Sequence, residues 1–219
     1  VPATKSFTTQ LTVLFLFALF LGGRRGHLSS AMVRKQLQQL HALPGMLRER
    51  ISTWDVQALE YARQHSRAQS FLYLGRGVHY AIAREGALKL KEISYIHGEG
   101  YPTGELRHGP NALVDEQSPV VVLATCDRDD ADSKLRYQKT LEVMDEVNKQ
   151  GGQVIAIATD GDREAPQFAH HTMFVPETAE LLAPILEVVP LQLFAYHVAV
   201  LNGCDVDHPR NLVKAVTRE

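Results

Sequence analysis

The sequence predicts an α/β fold in which a parallel sheet is covered by helices on both faces, with an all-helical segment ahead of it. Residues 1–66 show no strand pattern, whereas from residue 71 onward short apolar runs alternate with longer helical stretches. Continuous apolar runs are typical of strands buried on both faces, and their alternation with helices is typical of parallel sheets. Ligands of such sheets bind at the carboxyl ends of the strands, so we expect a site at that edge.

The composition fits one or two globular domains with a sizeable core. The 219 residues are 45% hydrophobic and 22% charged, and the formal net charge is −2. Nucleic-acid-binding proteins usually carry a basic excess, which is absent here. Cys126 and Cys204 lie far apart and lack a C-x-x-C partner, so we expect buried thiols in a reducing compartment. His170 and His171 have no further ligands in view, and no metal site is predicted.

Residues 1–66 predict four helices. Ser6 and Thr8 are candidate caps for the first, which runs through an apolar stretch at 11–21 and stops at Gly22-Gly23. This stretch is shorter than the ~20 residues of a membrane span and lacks the features of a signal peptide. We therefore predict no membrane segment, but a helix buried on most sides, inside the protein or in a subunit interface. The other three helices are predicted at 30–43, at 44–52 and from Asp55 onward.

From residue 71 onward, four strands and three long helices are predicted. The strand runs are 71–74, 120–124, 154–158 and 172–175, and the helices are 81–93, 133–150 and 181–201. The last helix contains Pro184 and Pro190, which can kink it. Gly75-Arg76-Gly77, between the first strand and its helix, is either a simple tight turn or a weak signal for phosphate binding.

The helix at 81–93 has an anomaly on its apolar side. At roughly 100° per residue, Glu85, Lys89 and Glu92 project within about 60° of one another, on the side that should be buried. A buried carboxylate is costly unless it is paired, and Lys89 can reach both acids. Two interpretations stay open at this point: an ion triad that joins two elements, or a catalytic carboxylate with a lysine that tunes it.

Two further segments carry polar chemistry outside the predicted helices and strands. The loop at 98–110 is dense in Gly, Pro and Glu, and it places His108 between Arg107 and Gly109-Pro110. A histidine on a rigid loop beside a buried carboxylate is a candidate acid/base. The tail at 205–219 has a proline turn and an apolar alternation, so we expect it to be pinned to the fold although tails are often frayed.

Four stretches resemble the C-terminal part of the glutamine–fructose-6-phosphate aminotransferase (isomerizing) family. They are E-G-A-L-K-L-K-E-I-S-Y-I-H at 85–97, G-E-L-R-H-G-P at 104–110, V-P-L-Q-L-F-A-Y-H-V-A at 189–199 and D-V-D-H-P-R-N-L-V-K-A-V-T-R-E at 205–219. The resemblance covers essentially the whole chain. It implies that residues 1–67 are the helical end of a first sugar isomerase (SIS) domain, that 68–204 are a second SIS domain, and that 205–219 are a tail contributing to the active site.

The resemblance also implies the reaction and its partners. The family condenses ammonia from glutamine with open-chain fructose 6-phosphate and shifts a proton between C1 and C2, which gives glucosamine 6-phosphate. The expected protein is a cytoplasmic homodimer without a cofactor or a metal. A glutaminase domain is expected upstream in the full-length chain, and neither nucleic acid nor membrane is an expected partner.

The catalytic residues of the family map onto this sequence motif by motif. Glu92 matches the base of the C1/C2 proton shift, and Lys89 and Glu85 match its supporting pair. His108 matches the ring-opening histidine, which in the family reaches the site of a neighbouring subunit. Lys214 matches the lysine that meets the open-chain carbonyl and is a candidate for a Schiff base.

The same mapping gives the expected sugar contacts. Val1 matches a residue whose backbone lines the sugar site, and Val213 stands where some members have Ala. Together with Glu92 and Lys214, these residues form the predicted substrate-binding set.

Two parts of the complete enzyme are expected upstream of this chain, which begins without Met and reads like the interior of a domain. They are the glutaminase domain with its catalytic cysteine, and a phosphate loop of S-x-S-G-x-T type that belongs to the first SIS domain. The equivalent turn of the second domain, A-T-C-D-R-D-D at 124–130, is acidic and unfavourable beside a dianionic phosphate. We predict that the second domain does not hold the phosphate, and that the 219 residues alone are inactive or nearly so.

Three other functions stay open from the sequence. One is a non-catalytic SIS module that binds a sugar phosphate in a regulator, although such a sensor has no need for Glu92 together with Lys214. A fructosamine deglycase-like enzyme is the second, but its sequence is not expected to end N-L-V-K-A-V-T-R-E. The third is a purely structural dimerisation fragment.

Overall fold

The structure is a computed structural model that describes residues 2–213. Two long helices, α1 (Lys5–Arg24) and α2 (Ser30–His65), precede a region in which strands and helices alternate. The alternating elements are β1 (Ser70–Gly75), α3 (Val78–Ser94), β2 (His97–Pro102), β3 (Val120–Ala124), α4 (Ala131–Lys149), β4 (Val154–Thr159), β5 (His171–Val175) and α5 (Ala183–Leu201). Short 3-10 turns lie at Thr103–His108, Pro110–Leu113 and Ala165–Phe168.

The five strands form one parallel sheet in the order β2-β1-β3-β4-β5. Side chains on β1 alternate between two cores. Phe71 and Tyr73 point into a core shared with α2, α3 and α5, whereas Leu72 and Leu74 point into a second core shared with α4. The predicted α/β class, a parallel sheet covered on both faces, is confirmed.

The structure has strand β2 where the sequence analysis predicts the start of a loop. Its residues are rich in glycine, and the reason is the closeness of α3. A Cβ on Gly100 would lie 2.8 Å from the Cα of Arg84, and one on Gly98 would lie 3.2 Å from the carbonyl oxygen of Ala87. The edge strand therefore needs glycine so that the helix can lie against it, and glycine hides the strand pattern.

The helical segment also differs from the prediction. Residues 30–65 form the single helix α2, with Pro44 inside it, instead of three helices. Leu43 and Trp54, on either side of the proline, are both buried, and the Trp54 indole donates to the carbonyl oxygen of Phe174 at 2.8 Å. Tertiary packing thus holds both halves in line and outweighs the helix-breaking tendency of proline. The residue ahead of α1 is Thr4, not Ser6 or Thr8.

Within residues 2–213 this chain itself does not bury the first helix, so of the two predicted locations burial in a subunit interface stays a prediction. Only Phe15 and Leu19 of α1 are buried, whereas Leu14, Phe17 and Phe20 are 57–63% exposed. Two of the described helices, α1 and α5, are long and apolar enough to cross a membrane by length and composition. Most of α5 is buried between α2, α3 and the sheet, which explains its apolar sequence, whereas α1 presents an open apolar face.

Candidate active site

The structure brings three of the predicted site residues together on α3. The Lys89 ammonium lies 2.6 Å from Oε2 of Glu92 and 3.3 Å from Oε1 of Glu85. The Lys89 side chain is only 4% exposed, Glu85 is 12% exposed, and Glu92 is 21% exposed. A lysine this deeply buried is tolerable because two carboxylates neutralise it. Glu92 is the most exposed of the three, and Glu85 lines a cavity together with Arg84 and Glu99.

The environment of the triad disfavours negative charge on the inner carboxylate. Burial raises the pKa of Glu85, and the Lys89 ammonium only partly opposes that effect. The lysine lies between the two acids, so a proton that arrives on either carboxylate changes the charge that the other one experiences. Such an arrangement suits a carboxylate that takes up a proton and gives it back.

Glycines fix the position of α3. A Cβ on Gly75 would lie 2.3 Å from the carbonyl oxygen of His79, so the chain could not turn from β1 into α3 in this way with any other residue. A Cβ on Gly86 would lie 2.7 Å from Cδ1 of Leu191, which shows how closely α3 approaches α5. The Gly75-Arg76-Gly77 segment is thus explained as a tight turn with close backbone packing.

His108 lies at the end of the 3-10 turn Thr103–His108, and its side chain is exposed. Leu106 anchors the turn in the core beside α4, and Arg107 forms a two-pronged ion pair with Glu146 of α4, in which its Nε lies 2.8 Å from Oε2. Bidentate arginine–carboxylate pairs fix orientation better than single contacts. The turn is therefore held on both sides while His108 faces outward.

Glu92 and His108 are carried by elements on opposite faces of the sheet. Glu92 is in the last turn of α3, whose apolar residues pack with α5 in the first core. The turn of His108 is anchored by Leu106 in the second core, beside α4. The structure therefore does not bring these two predicted residues together within one chain.

The described part of the tail is attached to the end of α3. The backbone N–H of Arg210 donates to the hydroxyl of Tyr95 at 3.0 Å, and the Arg210 guanidinium lies 4.1 Å from the centroid of the same ring. Pro209 is buried, as the expectation of a pinned tail requires. Val213 is 67% exposed. Val1 and Lys214 lie outside the described residues.

A buried polar cluster that the sequence analysis missed lies at the carboxyl ends of β1 and β3. His79, at the start of α3, has Nδ1 2.8 Å from Glu187 of α5 and Nε2 3.3 Å from Glu180. The ring N–H bonds are not aimed at these oxygens, so the attraction is one of charge rather than a directed hydrogen bond. Arg136 of α4 lies 2.6 Å from Glu180.

Hydroxyl groups complete this cluster, which we call the switch-point cluster: His79, Thr125, Ser133, Arg136, Glu180 and Glu187. The Thr125 hydroxyl donates to Glu187, and the Ser133 hydroxyl donates to Glu180. Burial alone would lower the pKa of His79, but the carboxylates of Glu187 and Glu180 raise it to about 10. Burial alone would raise the pKa of Glu180, but the nearby His79, the Ser133 hydroxyl and the Arg136 charge lower it to about 2. One signal was visible in the sequence, since Glu187 is the one acid in the otherwise apolar helix at 183–201.

The predicted histidine pair has structural partners. His170 Nδ1 accepts a hydrogen bond from the backbone N–H of Val154 at 3.1 Å, and the His171 ring stacks on Tyr61 with centroids 4.3 Å apart. Among residues 2–213, no group of three or more His, Cys, Asp or Glu side chains is arranged to hold a metal ion.

Comparisons with known proteins agree on one kind of domain. The SIS domain model matches residues 66–202. The glutamine–fructose-6-phosphate aminotransferase [isomerizing] of Thermus thermophilus is 49% identical over the whole chain, and that of Bacteroides thetaiotaomicron is 45% identical. This chain covers 35% and 34% of those relatives, so it spans about a third of their length.

Solved structures give the same picture. The C-terminal domain of glucosamine-fructose-6-phosphate aminotransferase from Francisella tularensis superposes with a TM-score of 0.85 at 35% identity, over 94% of this chain and 56% of that one. The glucosamine-6-phosphate deaminase of Thermotoga maritima, at 24% identity over 98% of this chain and 57% of that one, has a TM-score of 0.63 and shares the fold.

Proposed function

Since the chain belongs to the SIS domain family, we propose that it is the ketose/aldose isomerase part of a glutamine–fructose-6-phosphate aminotransferase (isomerizing). Its substrates are then fructose 6-phosphate and ammonia released from glutamine, and its product is glucosamine 6-phosphate. The observation that carries the proposal is the buried Lys89 between Glu85 and Glu92, on a helix of this family's domain. A module that only binds sugars has no use for such a charged group in its interior.

The proposed chemistry needs one base that returns its proton. Ammonia adds to the C2 carbonyl of the open-chain ketose with loss of water, which gives an imine. Glu92 then removes a proton from C1, and the electron pair moves to form a C1–C2 double bond while the imine nitrogen gains a proton. The Glu92 carboxylic acid gives its proton back at C2, and the C1 hydroxyl becomes the aldehyde of the open-chain aldose as it loses its proton. Lys89, at 2.6 Å, holds the Glu92 carboxylate in place through a charge-assisted hydrogen bond.

This role of Glu92 is tested in the full-length protein with Glu92→Gln, which keeps the shape but cannot accept a proton. We expect the isomerisation rate to fall at least ~100-fold, the usual contribution of a general base. Glu142→Gln, which removes an exposed carboxylate of α4, is the matched control and should leave the rate unchanged. Full activity of Glu92→Gln would show that Glu92 is not the base, whereas a wild-type protein that binds fructose 6-phosphate without isomerising it would favour the sugar-phosphate sensor.

We further propose that His108 opens the sugar ring in the site of a second copy, so that the protein works as a homodimer. The support is the sheet itself, which separates the face on which α3 carries Glu92 from the face on which the turn of His108 is anchored, together with the outward-facing His108. In a two-fold dimer, each copy then gives Glu92 to one site and His108 to the other.

Mixed dimers test this arrangement. Differently tagged full-length chains, one with Glu92→Gln and one with His108→Ala, are co-expressed and the mixed dimer is purified. If the sites are shared, the mixed dimer contains one intact site and regains activity that neither parent homodimer has. If His108 acts within its own chain, the mixed dimer stays as inactive as the parents, and the shared site is disproved.

The remaining site residues are proposed from the same family likeness. Lys214 meets the open-chain carbonyl, the Val1 backbone lines the sugar site, and Val213 contacts the sugar. Anchoring of Arg210 on Tyr95 supports the role of Lys214, because a four-residue span reaches at most ~14 Å and therefore ties position 214 to the neighbourhood of α3.

We propose that the phosphate of the substrate is held by residues upstream of this chain and not by residues 124–130. Several backbone donors at and beside that turn already have acceptors within the protein: the N–H groups of Cys126 and Asp127 donate to hydroxyl groups. Asp127 accepts from the backbone N–H groups of Asp129 and Glu180, and Asp130 accepts from that of Ser133. Two buried carboxylates, Glu187 and Glu180, also lie beside this turn, where Glu187 accepts from the Thr125 hydroxyl and the Glu180 N–H donates to Asp127. Fructose 6-phosphate found at residues 124–130 in a soaked crystal of the full-length protein would contradict this.

The domain organisation follows from the same proposal. Residues 1–67 end a first SIS domain, 68–204 form the second, and 205–219 are the tail. The apolar face of α1 is then covered by the rest of the first domain, and a glutaminase domain lies further upstream in a cytoplasmic enzyme. The 219 residues alone should show almost no isomerase activity, and robust turnover by this piece would contradict the arrangement.

A further inference from the structure

The last turn of α3 ends on a residue in an unusual conformation. Tyr95 has a φ of 62° and lies in the left-handed region. Within residues 2–213, Asn211 is the only other non-glycine residue with a positive φ. A bulky side chain is rarely found in this region, since the conformation carries strain. Two hydrogen bonds of the Ser94 hydroxyl fix the chain here. This hydroxyl donates to the carbonyl oxygen of Leu90 and accepts from the backbone N–H of Ile96.

The strained conformation turns the Tyr95 side chain toward the tail. Arg210 contacts it twice: the backbone N–H donates to the hydroxyl at 3.0 Å, and the guanidinium lies over the ring face at 4.1 Å. The adjacent Pro209 is buried, and the Cys204 thiol lies 3.8 Å from the carbonyl oxygen of Ser94. The tail therefore returns to the same turn of α3 at two separate points after it leaves α5.

We infer that Tyr95 is a positioning residue that clamps the tail against the end of α3 that carries Glu92. Tyr95 lies three positions after Glu92, a rise of only about 4.5 Å along the helix axis. A clamp at this point places the tail segment beside the proposed base. The inference rests on the proposed function, because it assigns the tail a task in that same site.

The chemistry of the contact favours a clamp over a core contact. Arg210 is exposed, so it adds little to the hydrophobic core, and an exposed cation–π pair with one hydrogen bond gives modest, reversible attachment. A tail that must admit a sugar and release it needs this moderate strength. The strained Tyr95 backbone also sets the direction in which the ring faces, which a flexible loop residue would not do.

A graded set of variants in the full-length protein separates the two contacts. Tyr95→Phe removes the acceptor of the Arg210 N–H but keeps the ring, and Arg210→Met removes the stacked guanidinium but keeps the N–H. Tyr95→Asn removes both contacts, while asparagine tolerates the left-handed backbone and so preserves the fold. Arg163→Met removes an exposed arginine that forms no ion pair within residues 2–213, and it serves as the matched control.

Two measurements report on the tail directly. The first is the rate of tryptic cleavage after Lys214, followed by mass spectrometry. We expect Tyr95→Asn to speed this cleavage about tenfold or more, and each single-contact variant to speed it a few-fold. The second is kcat for isomerisation, which should fall in the same order with an unchanged thermal midpoint, whereas Arg163→Met should behave as wild type.

The outcomes distinguish a failure of the Tyr95 clamp from a failure of the proposed function on which it rests. Glu92→Gln and Lys214→Ala are measured alongside, and if both remain fully active then the proposed roles of Glu92 and of the tail fail. If they lose activity while Tyr95→Asn shows wild-type cleavage and turnover, the clamp is disproved and the proposed function stands. Faster cleavage with unchanged kcat also disproves the positioning role.

Discussion

Replacing Glu187 by glutamine should destabilise the protein strongly, through charge alone. The Glu187 side chain is fully buried, and Nδ1 of the buried His79 lies 2.8 Å from it. Glutamine keeps the size and can still accept the hydrogen bond of Thr125, but it cannot balance the imidazolium. Of the two positive and two negative groups in the switch-point cluster, one negative group would be lost.

The size of the effect follows from the position of the pair. Removing one member of a buried ion pair typically costs about 3 to 5 kcal/mol. The rise of the His79 pKa from 6.5 to about 10 corresponds to a similar figure, on the order of 5 kcal/mol at ~1.4 kcal/mol per tenfold change in proton affinity. Because the pKa is raised on folding, this stabilisation is complete below pH 6.5 and is lost as the pH rises through about 10.

Urea titrations of the full-length protein at pH 7 and at pH 10 measure both consequences. At pH 7 the variant should unfold at a clearly lower urea concentration than the wild type, and the gap should narrow at pH 10. The double variant His79→Leu with Glu187→Leu leaves Arg136 and Glu180 balanced, so it should be less destabilised than Glu187→Gln alone. The exposed Glu142→Gln is the control. A wild-type urea midpoint for Glu187→Gln, or a gap that widens with pH, would refute this account of the cluster.

Three further predictions concern packing and the histidine turn. Gly86→Ala should cost about 1–3 kcal/mol, because the added Cβ would lie 2.7 Å from Cδ1 of Leu191. The thermal midpoint measured by calorimetry should therefore fall, and a midpoint that does not fall would contradict this prediction. Trp54→Phe should cost about 1–3 kcal/mol in urea titrations, because the buried carbonyl of Phe174 loses its donor at 2.8 Å. Arg107→Met should lower the ring-opening rate several-fold without changing the thermal midpoint, and an unaltered rate in stopped-flow assays would show that the pair with Glu146 does not aim His108.

The features that the sequence predicts well are those that depend on residues close together in the chain. The triad on α3 could be placed because Glu85, Lys89 and Glu92 are spaced by one helical turn, and helix geometry alone brings them together. The parallel sheet could be predicted because its buried strands are continuous apolar runs.

The parts that the sequence did not predict depend on distant partners. Strand β2 exists because α3 lies against its glycines, and α2 continues through Pro44 because Trp54 and Leu43 are buried on both sides of it. The switch-point cluster joins His79 to Glu187, more than a hundred residues later in the chain. No local pattern reveals such pairs, although a lone acid in an apolar helix indicates that a partner exists.

The placement of Glu92 and His108 on opposite faces of the sheet has a consequence for how the protein behaves at low abundance. If no single molecule holds a complete set of reacting groups, the specific rate must decline on dilution below the dimer dissociation constant. Subunits with a defect in either group would also impair the healthy copies they associate with, while two differently defective subunits could rescue each other.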